Sequence, residues 1–161
     1  MRFRHRLIPY IYSMAYRNFT QDIPLMLPMY YQNPEDPRAY KNKRQYWYGS
    51  ELIVNPVVKK MNKTTRRVLQ KTYLPPHEGG YFDFFTHEFY EGDEQIARLY
   101  EIDEIPVFAK AGAIVPLDTN PTRNRTDNPE ELTIEVFPGN SNEFQLRSEE
   151  HTSELQSPNT I

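Results

Sequence analysis

Residues 103–117 read Asp-Glu-Ile-Pro-Val-Phe-Ala-Lys-Ala-Gly-Ala-Ile-Val-Pro-Leu, and this stretch narrows the possible folds more than any other. Two apolar runs, 105–109 and 113–117, flank Lys110-Ala111-Gly112. Gly112 supplies the backbone freedom of a tight turn, so the pattern predicts two short strands joined as a buried hairpin. Pro106 and Pro116 have no N–H to give a ladder, which places them at strand ends or sheet edges. Fourteen prolines against six glycines extend the reading to the whole chain, which should consist of many short elements.

One helix is expected, over residues 2–19. Leu7, Ile11 and Met14 recur at helical spacing, with Ile8, Ala15 and Phe19 widening the stripe. Pro9 would break a helix interior but is tolerated near a helix start. Strands are expected at 25–31, 52–58, 68–73, 81–85, 96–101, 107–110, 113–117, 132–137 and 143–146. Polar connectors fall at 33–37 and 59–65, a turn at 77–80 and a surface loop at 119–130. Many short strands with frequent turn signals indicate a mainly β fold, an antiparallel sandwich.

Composition excludes several function classes. With no cysteine there are no disulfides or thiolate metal sites. No apolar run approaches the ~20 residues that span a bilayer, and no signal peptide is visible, so a cytoplasmic parent is the default expectation. Residues 1–71 hold 14 Lys/Arg and 4 Asp/Glu, whereas 72–161 hold 5 and 18. No nucleic-acid motif accompanies the basic half, so the asymmetry reads as two oppositely charged, partly pairing faces, with no nucleic-acid or membrane partner.

Candidate chemistry is sparse. Asp83, Glu88, Glu91, Asp93 and Glu94 form an acidic cluster around a turn, the usual pattern of a solvated face rather than a glycosidase carboxylate pair. The four histidines show no metal-ligand spacing. Tyr46, Trp47 and Tyr48 would alternate across a strand and pack in a core; exposed, they would stack on sugar faces. The sequons at Asn18, Asn62 and Asn124 are read as chance. No catalytic, substrate-binding or metal residue is assigned, and no cofactor is expected.

Three blocks carry a resemblance. They are Arg4-His5-Arg6-Leu7-Ile8-Pro9-Tyr10-Ile11-Tyr12-Ser13-Met14, Pro24-Leu25-Met26-Leu27-Pro28-Met29-Tyr30-Tyr31 with Gln45-Tyr46-Trp47-Tyr48-Gly49-Ser50-Glu51-Leu52-Ile53-Val54-Asn55-Pro56-Val57, and the 105–117 stretch. In this order they resemble the glycoside hydrolase family 31 enzymes, the α-glucosidases and α-xylosidases, over roughly residues 2 to 146. The resemblance implies that residues 1–22 are the last helix of a (β/α)8 catalytic barrel and that 23–146 are the incomplete β-sandwich behind it. It also implies hydrolysis of α-glycosidic bonds with retention by two Asp residues, whose carboxyls stand about 5 Å apart. Both lie upstream of the Arg-x-Arg-Leu-x-Pro-Tyr helix in the family. Trp47, the single tryptophan, lacks the Asp two residues on that marks the nucleophile's Trp-x-Asp-Met-Asn-Glu context. The expectation is therefore an inactive C-terminal piece that scaffolds its parent's barrel and meets carbohydrate only through it. The alternative is a free-standing, non-catalytic carbohydrate-binding or structural sandwich.

Residues 147–157, Arg-Ser-Glu-Glu-His-Thr-Ser-Glu-Leu-Gln-Ser, resemble nothing in that family. They match the in-frame translation of a common short-read sequencing adapter, so 147–161 are read as an adapter-derived, non-native tail. With few large apolar groups, the tail is expected to be disordered or weakly packed.

Overall fold

The computed structural model describes residues 2–120, 129–147 and 152–156. The chain opens with α1 (Arg2–Arg6) and α2 (Ile8–Gln21), then β1 (Met26–Pro28), α3 (Met29–Gln32) and α4 (Pro37–Lys41). Strands follow: β2 (Tyr46–Tyr48), β3 (Leu52–Val54), β4 (Val68–Leu74), β5 (Tyr81–Asp83), β6 (Phe89–Tyr90), β7 (Glu94–Tyr100) and β8 (Val107–Lys110). The last four described strands are β9 (Ile114–Asp118), β10 (Leu132–Val136), β11 (Glu143–Arg147) and β12 (Thr152–Gln156). The fold is mainly β and every described strand pair is antiparallel.

The two-residue period of a strand divides the interior into two cores. The central sheet runs β1-β2-β3-β8-β5-β6. From it Leu52, Val54, Val107 and Ala109 face one core, whereas Trp47, Ile53, Tyr81 and Phe108 face the other. The first core is closed by α2, by the β9–β10 pair and by β11, which contribute Tyr10, Met14, Ile114, Leu117 and Phe144. The second is closed by the β4–β7 hairpin and the α3–α4 segment, through Tyr73, Leu74, Met29 and Ala39.

Several expectations change. The two apolar runs around Gly112 are not a hairpin. β8 pairs with β3 and β5, β9 pairs with β10, and the turn between them carries the chain from the central sheet to an outer pair. The turn itself is as read: Ala113 N–H donates to Lys110 C=O (3.0 Å) and Gly112 has φ +82°. Pro116 sits inside β9 opposite Ile134, and β9 has no second ladder partner among the described residues.

The N-terminal helix is broken at Leu7 (ψ −2°), two residues before Pro9, which stands in the first turn of α2. Its apolar residues split between two faces. Leu7, Tyr10 and Met14 are buried against the sheets, while Ile8, Tyr12, Ala15 and Phe19 are exposed. The strand expected at 25–31 stops at Pro28, and the connector at 33–37 leads into α4. Asp36 caps that helix by accepting from Arg38 N–H (2.8 Å), with Pro37 in its first turn. The strand expected at 52–58 ends at Val54, before Pro56.

The described part of the tail is ordered: β12 pairs with β11 along its length, and Leu155 packs partly on the first core. Much of the 119–130 loop and the Asn124 sequon lie outside the described residues.

Candidate functional site: the seat of the N-terminal helix

A buried carboxylate, Glu51, joins α2 to three strands. It follows Gly49-Ser50 in the turn between β2 and β3 and is 1% exposed. Its side chain accepts from Ile114 N–H (3.2 Å) and Asn142 Nδ2 (2.7 Å) and pairs with Lys110 Nζ (3.4 Å). Its backbone C=O accepts from Lys110 N–H (3.1 Å), and its N–H donates to Tyr10 Oη (3.2 Å). Both carboxylate oxygens are therefore engaged in holding the β8–β9 corner and the approach to β11. A carboxylate tied in this way is a structural clamp, unsuited to nucleophilic attack.

Tyr10 is the helix side of the clamp. Its hydroxyl donates to Tyr48 C=O (2.7 Å), and its ring stacks on Phe144 of β11 with centroids 5.7 Å apart. Burial, reinforced by the Glu51 charge, pushes the phenol well above its usual pKa, so the donated proton stays in place. Gly49 makes the approach possible: a Cβ there would lie 2.2 Å from Tyr10 Oη, and its φ is +67°. One turn along α2, the Ser13 hydroxyl accepts from Arg147 N–H (2.9 Å) and donates to Pro9 C=O (2.9 Å). The Arg147 guanidinium lies 4.6 Å from the centre of the Tyr16 ring. A cavity of ≈ 260 Å³ remains between α2 and β11, bordered by Arg17, Glu51 and Lys110.

The acidic cluster read from the sequence does not converge on a catalytic geometry. Asp83 is buried; one of its oxygens accepts from Phe85 and Thr86 N–H (both 2.9 Å), the other from Arg98 (2.9 Å). Glu88 approaches the same arginine at 3.6 Å, so these two carboxylates flank a cation that holds a turn. Asp93 belongs elsewhere, with Arg38 and Asp36 beside α4. Glu91 and Glu94 are exposed. The aromatic triplet divides as alternation requires, with Trp47 buried in the second core and Tyr46 and Tyr48 against the first. Trp47 therefore presents no face to a sugar. Among the described residues no three His, Asp or Glu side chains gather as metal ligands, and no helix is long and apolar enough to cross a membrane.

Sequence reasoning missed Glu51 and Tyr10 as partners. The signal was a single carboxylate wedged between Gly49-Ser50 and the apolar Leu52-Ile53-Val54, a position where only a paired charge persists.

Comparison with known proteins agrees with this architecture. The chain is 28% identical over 146 residues to an α-xylosidase of Saccharolobus solfataricus, covering 91% of this chain and 19% of that protein. It is 29% identical over 137 residues to neutral α-glucosidase C of Mus musculus, covering 83% and 15%. The cycloalternan-forming enzyme of Listeria monocytogenes superposes with a TM-score of 0.86 at 28% identity, over 96% of this chain and 15% of that one. The chain thus spans less than a fifth of the length of these relatives. Residues 22–115 match the family model described as the glycosyl hydrolase family 31 C-terminal domain. The chain belongs to glycoside hydrolase family 31, through that family's C-terminal β-domain.

Proposed function

We propose that the chain is the scaffolding C-terminal β-domain of a retaining family 31 enzyme acting on α-glucosides or α-xylosides. Residues 1–22 would be the last helix of the catalytic barrel, 23–146 the supporting sandwich and 147–161 an adapter-derived tail. The carrying observation is the two-faced helix. The inner face of α2 is fixed by Tyr10 and Ser13, while Ile8 (45% exposed), Tyr12 (44%) and Phe19 (84%) present an apolar outer face. An apolar stripe on the outside of a helix that is already anchored calls for a second packing partner. The relatives named as α-xylosidase and α-glucosidase supply the substrate class, and their greater length leaves room for the barrel. The domain's task would be to hold the barrel's end so that its catalytic aspartates keep their separation.

The purified chain should release no product from aryl α-glucosides or aryl α-xylosides. The same chain, joined in frame to a preceding barrel that carries Trp-x-Asp-Met-Asn-Glu, should hydrolyse one of them. Turnover by the chain alone that survives repurification would refute the proposal.

A further inference from the structure

A second cleft lies where the end of α4, the segment after β3 and the middle of β4 meet. It measures ≈ 370 Å³, within the ~300–1,000 Å³ of small-molecule sites. Lys41, Lys43, Arg44, Lys59 and Lys71 line it, and no carboxylate does. The ion pairs of the fold use Arg38, Arg67, Arg98 and Lys110, so among the described residues none of these five cations is neutralised. Part of the basic excess of residues 1–71 is therefore gathered, unpaired, in one concavity.

The cleft's inner side is built of buried amides. Asn55, 3% exposed, donates through Nδ2 to Lys71 C=O (2.8 Å) and Thr72 Oγ1 (2.9 Å). Its Oδ1 accepts from Gln70 Nε2 (2.9 Å), which fixes the orientation of the Gln70 amide. Gln70 Oε1 is then left with no donor, although the residue is only 7% exposed. A buried acceptor without a partner is costly and marks a place where a donor belongs.

We infer that this cleft binds a small hydroxylated anion, a phosphorylated sugar, its phosphate held by the lysines and one hydroxyl donating to Gln70 Oε1. The lining contains no aromatic ring, so the base stacking that single-stranded nucleic acid uses is missing. The inference is independent of the catalytic reading above, since none of these residues touches the seat of α2.

The test is titration of the full chain with glucose 6-phosphate, inorganic phosphate, glucose and a single-stranded oligonucleotide, followed by isothermal calorimetry and backbone amide shifts. Glucose 6-phosphate should bind more tightly than inorganic phosphate, glucose should not bind, and shifts should centre on residues 41–45, 58–59 and 70–71. The triple variant K41A/K59A/K71A should weaken the sugar phosphate about tenfold or more, and raising the salt to ~0.5 M should weaken the wild type similarly. The three lysines are exposed, and an unchanged urea midpoint in the variant would show that the fold is intact. Equal affinity for phosphate and sugar phosphate would overturn the inference, as would binding insensitive to the triple variant. Absence of shifts, or tighter binding of the oligonucleotide, would overturn it as well.

Discussion

Replacing Tyr10 with Phe removes one oxygen from the seat of α2 and leaves its shape intact. The ring keeps its stack on Phe144, and no cavity larger than a hydroxyl is opened. Glu51 N–H, which donated at 3.2 Å, loses its buried partner, whereas Tyr48 C=O, which accepted at 2.7 Å, loses one donor but stays opposite Leu52 in the β2–β3 ladder. An unmet buried N–H costs about 1–3 kcal/mol, and removing the hydroxyl's own desolvation returns part of that, so the net loss should be about 1–2 kcal/mol. With a urea m-value of about 2 kcal/mol per molar, the midpoint should fall by about 0.5–1 M. Trp47, buried and the single tryptophan, provides the fluorescence signal. Tyr12→Phe on the exposed side of the same helix should leave the midpoint unchanged. A Tyr10→Phe loss below about 0.5 kcal/mol, the size of ordinary surface effects, would refute the role given to this contact.

Gly49→Ala should destabilise at least as strongly, because the new Cβ meets Tyr10 Oη and the backbone has φ +67°; urea unfolding measures it. Hydrogen bonds from Arg38 and then Tyr73 hold the Asp36 carboxyl well below the usual carboxylate range, so its contribution is present above about pH 4 and fades as pH falls further. The stability gap between wild type and Asp36→Asn should therefore close on acidification, as read by melting temperature at pH 7 and pH 3. Burial lowers the His77 pKa, so the neutral ring that contacts Ala111 C=O (3.2 Å) stabilises above about pH 6.5 and the benefit is lost below it. His77→Gln should flatten the fall in melting temperature between pH 7 and pH 5. Deleting 148–161 removes β12 from β11 and uncovers Leu155's contacts, so the melting temperature should drop; an unchanged value would mean that this pairing contributes nothing.

The parts of the fold that the sequence made legible are those decided locally. β8 is bounded by Ile105-Pro106 and by the Gly112 turn, and its expected residues are those observed. α4 was equally readable and was missed, since Asp36-Pro37 is a cap followed by a first-turn proline. The hairpin error has a physical cause. β9 is buried at all five positions and β8 at three of four, without the alternation of a pair that has one wet face. Two such strands each need a neighbouring layer, and the run of apolar residues records burial without saying which strand supplies it. Glu51 was opaque for a related reason. Its partners Ile114 and Asn142 stand 63 and 91 residues away, and only the folded chain brings them together. The charge asymmetry was half resolved by pairing, Arg38 with Asp93 and Arg67 with Glu101, while the cations around Gln70 stayed unpaired.

The β8–β9 corner also explains why the helix sits where it does. Between Lys110 and Ala113 the chain leaves the central sheet for the outer one, and such a crossing exposes backbone donors that no ladder satisfies. Here each finds a partner: Ala111 N–H on Gly80 C=O (2.8 Å), Gly112 N–H on Phe137 C=O (2.7 Å), and Lys110 N–H on Glu51 C=O (3.1 Å). Ile114 N–H is met by the Glu51 carboxylate. Gly112 is required because a Cβ there would stand 2.7 Å from Asn140 C=O. The same Glu51 whose carboxylate stabilises the corner offers its own N–H to Tyr10. The anchor of α2 is thus a by-product of closing the crossing between two sheets. A mutation that loosens the corner, such as Glu51→Ala, should release the helix together with β9, and amide exchange in α2 and β9 should accelerate in parallel. Faster exchange in β9 with α2 unaffected would show that the helix is held by apolar packing alone.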